Sequence, residues 1–193
     1  MIDTATALME ATRICVARNG LAATTSRDIT RQAGANLAAI TYHFGSKDRL
    51  VGEALLEGFR SWLAPTVAVL AEDGDPATRT VAAIQSLLAT LEEHRGDAAA
   101  YLQALAHAPA ADPLRQGIVE LWSDLRGMLA ADMRAVQDSG ELGAWLDPEV
   151  MSAVLVAVAN GFVVQAIVDP DGPGLSAMAA QFGSLMLAVR QPR

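Results

Sequence analysis

Residues 24–50 read TTSRDITRQAGANLAAITYHFGSKDRL. Thr25 with Asp28 three residues on is a variant of the capping box that opens a helix, and Gly34 suits its stop. The spacing therefore predicts a helix over Ser26–Ala33. Asn36 is a favoured N-cap for a second helix, Leu37–Phe44, which Gly45 ends; Ser46 then caps a fourth and much longer one. Upstream, a first helix runs from about Asp3 to Asn19 and stops at Gly20, with Leu8, Ala11 and Cys15 as its inner stripe and Ile14 either joining it or facing outward.

Two short helices joined by a Gly-containing turn and buttressed by a third make a helix-turn-helix pattern, whose second helix enters the DNA major groove. Any small helical bundle has access to the same spacing, so the residue types must decide. At about 100° per residue, Ile40 and Phe44 share one face of Leu37–Phe44, while Ala38, Thr41 and Tyr42 share the opposite one. An ordinary solvated face carries Glu or Lys. Small and hydroxylated residues instead let a helix approach base edges, and a phenol can hydrogen-bond a phosphate oxygen.

The net charge of −8 opposes DNA binding at first sight. Its distribution removes the conflict. Residues 1–50 hold six basic and four acidic side chains, and the remainder holds eight basic and eighteen acidic. A distant acidic body is largely screened from a local basic patch when the Debye length is about 8 Å.

Over residues 8–50, LMEATRICVARNGLAATTSRDITRQAGANLAAITYHFGSKDRL closely resembles the DNA-binding domain of TetR-family transcriptional regulators. The resemblance rests on Gly20, the TTSRDI entry, AG before the turn, and YHFGSKDRL. SGELGAWLDPEV, followed by a long apolar helix with Asn160-Gly161, is similar to the family's ligand-binding and dimerisation domain. The resemblance implies a homodimer on a double-stranded pseudopalindromic operator, usually a repressor released by a small molecule. It also implies that Ser26, Arg27, Tyr42, His43 and Lys47 contact phosphates, and that Asn36, Leu37, Ala38 and Thr41 lie nearest the bases. His43 sits at the edge of the inner face and either packs or contacts DNA. Leu37 departs from the polar or basic residue often found there and is partly core in that case. Arg31 and Arg49 are expected to be solvated or paired with Asp28 and Asp48.

The recognition helix lacks Arg, Lys and Gln, so strong bidentate pairings with guanine or adenine are mostly absent. Specificity is expected from thymine-methyl contacts, a hydroxyl contact from Thr41, and DNA shape.

The composition, 52% hydrophobic with Ala, Leu and Val dominant, favours an all-α chain. The expected organisation is a helix-turn-helix domain over residues 1–50 and an effector-binding and dimerisation domain over 51–193. Further helices are expected over 46–63, 76–94, 97–107, 114–138, 148–168 and 174–190, and residues 64–75 either extend the fourth helix past Pro65 or leave it. Trp62, Leu88, Leu91, Tyr101, Leu105, Leu121, Trp122, Leu125 and Phe162 lie on apolar stripes that are plain core or walls of a pocket for a largely apolar or aromatic effector. Gln85, Gln103, His107, Asn160 and Gln165 are its candidate polar groups. Ala157 and Gly161 with Met178, Phe182, Leu185, Met186 and Val189 are expected at the dimer interface, because the last two helices have more apolar surface than one small chain can hide.

Met151–Val168 reaches the lower limit of a membrane span, yet Ser152, Asn160 and Gln165 interrupt it and acidic residues flank both ends, so a buried helix is expected. The N-terminus does not read as a secretory signal. The single cysteine fits a reducing cytoplasm. His43, His94 and His107 have no metal-ligand spacing, and no phosphate-binding glycine loop is present, so neither an enzyme, a metal nor a cofactor is expected.

Overall fold

The computed structural model describes residues 3–93, 95–107 and 112–188. The chain is all-helical. In order the helices are α1 (Thr4–Asn19), α2 (Ser26–Ala33), α3 (Leu37–Phe44), α4 (Lys47–Leu70), α5 (Pro76–Glu93), α6 (Arg95–His107), α7 (Asp112–Asp138), α8 (Pro148–Val168) and α9 (Leu175–Ala188). They form two compact units: residues 1–62 with 95–119, and residues 63–94 with 120–193. These units are drawn otherwise than at residue 50, because α6 and the first part of α7 pack with the N-terminal helices.

In the first unit α1 packs on α2, α3 and α6. Leu8, Ala11, Cys15 and Val16 of α1 are buried, as is Thr12, whose Oγ1 donates to the Leu8 carbonyl at 2.7 Å. Ile14 faces outward, being 36% exposed. Burial raises the Cys15 thiol pKa, with Asp28 adding to the shift. Gln103 of α6 accepts the Leu21 N–H at 2.7 Å, tying α6 to the loop before α2. That bond gives Gln103 a structural partner at its amide oxygen. A Cβ at Gly117 would overlap Leu56, so the glycine sets how closely α7 approaches α4 within this unit. Phe59, Trp62 and Tyr101 form an aromatic core: Phe59 meets Tyr101 edge-on at 4.8 Å, and Trp62 lies 5.8 Å from Tyr101.

Helix α4 continues through Pro65 to Leu70. A proline inside a helix forfeits one backbone hydrogen bond; buried Trp62, Leu63, Thr66 and Leu70 along the same stretch favour continuing.

In the second unit α9 packs on α5 and α8. Asp75 caps α5, accepting the Thr78 N–H at 2.9 Å. Arg79 pairs with buried Asp132 of α7 and donates to the Glu72 carbonyl at 2.7 Å, holding the turn before α5. Gln137 donates to the carbonyls of Gly143 and Leu146, which orders the loop leading to α8. Asp147 then caps α8, accepting from Glu149 N at 2.9 Å and Val150 N at 3.2 Å. Ser152, Leu155 and Val163 form the buried face of α8. The expectation of a buried helix needs correction: only 22% of its apolar window is covered, because its inner face is narrow.

Candidate nucleic-acid interface

The start of α2 is built by Thr25 and Asp28. Thr25 Oγ1 accepts the Asp28 N–H at 3.2 Å, and Asp28 Oδ2 accepts the Thr25 N–H at 3.1 Å, a complete capping box. Hydrogen bonds from the Thr25 hydroxyl and then its backbone N–H hold the Asp28 carboxyl below its usual range, with Arg31 and Lys47 assisting. The first turns of α2 and α4 each open on a side-chain cap, from Thr25 and from Ser46. Both turns have backbone N–H groups without intrahelical partners, the feature that makes helix N-termini receptive to phosphate. Ser26 is half-buried there, Arg27 exposed, and Lys47 half-buried at the head of α4.

Gly34 makes the turn between α2 and α3. Its φ of 65° and ψ of 27° are left-handed, and Ala35 N–H reaches back to the Thr30 carbonyl at 2.9 Å. Asn36 caps α3, its Oδ1 accepting the Ala39 N–H at 2.9 Å, so that oxygen is already occupied. Ser46 Oγ likewise accepts the Arg49 N–H at 3.1 Å at the start of α4.

Helix α3 divides as its periodicity suggests. Ile40 and Phe44 are buried against the unit, whereas Ala38 and Thr41 are exposed and Tyr42 is 84% exposed. His43 is exposed and meets the Tyr42 ring edge-on at 4.8 Å, so it does not pack inward. Leu37 is 50% exposed and is not core. Arg31 lies 3.8 Å from Asp28, as expected. Arg49 differs: its Nε donates to Glu53 at 2.8 Å, one helical turn on, and Asp48 is not its partner. The result is a ridge of small and hydroxylated side chains on α3, which in chain order follows α2, with Arg27 in its first turn, and precedes α4, which opens on Lys47. Such a surface can place backbone amides and cations on phosphates while α3 lies in a groove.

The sequence's other candidates are dispersed. Trp62 and Tyr101 belong to the aromatic core of the first unit, and Leu105 is half-buried in the same unit. Leu121, Trp122, Leu125 and Phe162 are half-buried in the second unit, where Phe162 meets Phe182 edge-on at 6.2 Å. A cleft of about 350 Å³ in that unit lies between α5 and α9; of the expected wall residues it includes only Leu88, together with Val81, Ile84, Ala179 and Gly183. Gln85, Ser176 and Ser184 are its polar lining. His107 and Gln165 are exposed. Of the expected interface residues, Ala157 and Leu185 are exposed, while Gly161, Met178 and Phe182 are half-buried. The side chains of Leu91 and Met186, and Val189 as a whole, lie outside the described residues. Sequence reading missed Val150, Val154, Val164 and Val168, all exposed on α8. Their spacing of four and ten residues, one helix face throughout, was the signal that could have found them.

Residues 8–54 match the family described as bacterial regulatory proteins, tetR family, and residues 76–186 match the BetI-type transcriptional repressor C-terminal family. The chain is 33% identical over 95 residues to the HTH-type transcriptional repressor KstR2 of Mycobacterium tuberculosis, covering 49% of this chain and 47% of that protein. It therefore spans about half the length of the curated relatives it matches. A TetR transcription regulator from Haloarcula marismortui superposes with a TM-score of 0.85 at 24% identity, covering 98% of this chain and 99% of that one. A transcriptional-regulator structure from Saccharomonospora viridis in complex with choline gives 0.83 at 22% identity, covering 98% of both chains. These two likenesses establish the fold.

Proposed function

Since the chain belongs to the TetR family of bacterial transcriptional regulators, we propose that it is a homodimeric repressor of the cytoplasm that binds a pseudopalindromic operator and releases it when a small, largely apolar effector binds. The observation that carries the DNA-reading part is the division of α3: Ile40 and Phe44 anchor it inward while Ala38, Thr41 and Tyr42 stand free. Residues 1–50 are the reading head and residues 51–193 the sensor and dimer body. Ser26, Arg27, Tyr42, His43 and Lys47 contact phosphates, and Leu37, Ala38 and Thr41 lie nearest the bases with Asn36 at the helix entry. Phosphate contacts position the dimer; thymine methyls, one hydroxyl and groove shape select the sequence.

The effector class rests on the cleft between α5 and α9. Its size falls within the range of small-molecule sites, and aliphatic walls with an amide and two hydroxyls suit a neutral apolar molecule with one or two polar groups. The choline bound by the Saccharomonospora viridis protein is a cation, which aromatic faces hold best; among the described residues, the lining of this cleft has none. Leu88, common to the cleft and to the sequence's expectation, is the first residue to change. Release follows if the effector prefers a conformation with differently spaced recognition helices, with α4 as the connecting lever, and it weakens operator binding only by its differential affinity.

The direct test is a mobility-shift assay on the DNA upstream of the protein's own gene, with and without competitor DNA. A competitor-resistant shift is expected; an absent or wholly nonspecific one would refute the reading.

A further inference from the structure

Helix α1 ends in an uncommon way. In the usual caps a glycine in the left-handed region turns the next N–H groups back onto the last carbonyls of the helix. Gly20 has φ 81° but ψ 158°, so its own N–H reaches the Val16 carbonyl at 2.9 Å and the chain then leaves α1 extended. The next N–H, that of half-buried Leu21, finds its partner outside α1. A buried N–H left unpaired is costly. The partner stands 82 positions along the chain, where Gln103 Oε1 accepts at 2.7 Å. This amide lies so near the loop that a Cβ on Gly20 would meet it at 3.4 Å. Helix α6 holds it there, packed on α1 with Ala100, Tyr101 and Ala104 buried.

The loop passes the constraint on to α2. The Gly20 carbonyl accepts the Thr24 N–H at 3.2 Å and the Thr24 hydroxyl at 2.8 Å, and Thr24 is fully buried. Thr25, the next residue, closes the capping box of α2. A continuous chain of hydrogen bonds therefore runs from α6 to the first turn of α2, all within the first unit. The second turn of α2 has anchors of its own in buried Ile29 and Thr30. The first turn, with half-buried Ser26 and exposed Arg27, is held from the loop. On the DNA-binding reading above, we infer that Gln103 is a positioning residue for operator binding: through the Leu21 N–H it holds the first turn of α2 where Ser26 and Arg27 meet phosphates. Charge-assisted hydrogen bonds have heavy atoms about 2.7–2.9 Å apart, so a turn displaced by about 1 Å loses them.

Two substitutions separate the bond from the side chain. Gln103→Met keeps the length and helix preference but removes the acceptor, and Gln103→Glu retains an oxygen. The probe is the DNA upstream of the protein's own gene, titrated by fluorescence anisotropy over a salt series. Gln103→Met should bind about tenfold more weakly, with the salt slope reduced by about 1 as Arg27 disengages. Gln103→Glu should bind within about threefold of wild type, since the acceptor is retained. In an Arg27→Ala background, Gln103→Met should cost less than about threefold, because its effect runs through a contact already removed. Wild-type affinity in Gln103→Met, equal losses in the Met and Glu variants, or full additivity with Arg27→Ala would each overturn the positioning role. Amide exchange on the wild type tests the bond with no variant to fold. The Leu21 N–H should exchange at least about tenfold more slowly than that of exposed Ala22, and equal rates would overturn the proposal. A wild-type chain that does not prefer this DNA to competitor would instead overturn the DNA-binding reading beneath it.

Discussion

Helices α3 and α8 both leave a face uncovered, and the two faces are built differently. Helix α3 shows Ala38, Thr41 and Tyr42, groups that water solvates well enough for the helix to stand free between encounters with DNA. Helix α8 shows valines, and covering each half-exposed valine is worth about 1 kcal/mol. Hydroxyls and small side chains suit an interface that opens and closes. A row of valines suits one that closes once and stays closed.

The contrast can be broken at α8 first. If the uncovered face of α8 is covered by a second copy in the proposed homodimer, Val154→Glu would place a charge from each copy there, where an unpaired buried charge costs about 3 kcal/mol or more. Dimer affinity should fall at least about 100-fold by sedimentation while helical content by circular dichroism stays unchanged; an intact dimer would remove Val154 from the interface. At the head of α4, Lys47→Ala should lower affinity about tenfold on every duplex and reduce the salt slope by about 1, as the proposed contact of one ammonium with one phosphate requires. Filter binding across a salt series would show it. An unchanged slope would remove Lys47 from the phosphate set.

Smaller effects sharpen the α3 side. Thr25→Ala removes half of the capping box and should cost about 1 kcal/mol of stability in urea titration. Its partner supplies a pH signature. The folded pKa of Asp28 is depressed, so its contribution is present above the unfolded carboxylate pKa and is lost as pH falls through the folded one. Wild type should therefore lose more stability on acidification than Thr25→Ala does. Smallest in free energy is Thr41→Ala, expected to change sequence preference in a selection from random duplexes by a few fold, about 1 kcal/mol at one position, while nonspecific affinity holds.

Local chemistry was readable before the structure, and distant chemistry was not. The bounds of α2, α3 and α8 follow from Thr25 with Gly34, from Asn36 with Gly45, and from Asp147 with Pro148, all signals within a few residues of the ends they set. The exposed ridge on α3 followed from periodicity alone. Pro65 leaves the end of α4 undecided in the sequence, because its local cost is outweighed by burial along the rest of the helix. Arg79 with Asp132, and Gln103 with Leu21, join residues 53 and 82 positions apart, which no local pattern encodes. The cleft between α5 and α9 was not legible for a related reason: an apolar stripe looks the same whether it lines a hollow, as Leu88 does, or packs in a core, as Trp62 and Tyr101 do.

The Gln103 bond bears on any attempt to transplant the reading head. A chimera cut after residue 50 would carry Leu21 into its new host without the amide that satisfies it, and one cut after residue 62 would in addition carry Leu56 without the glycine that makes room for it. Moving residues 1–62 together with 95–119 keeps both fittings, so the portable piece of this molecule is discontinuous along the chain.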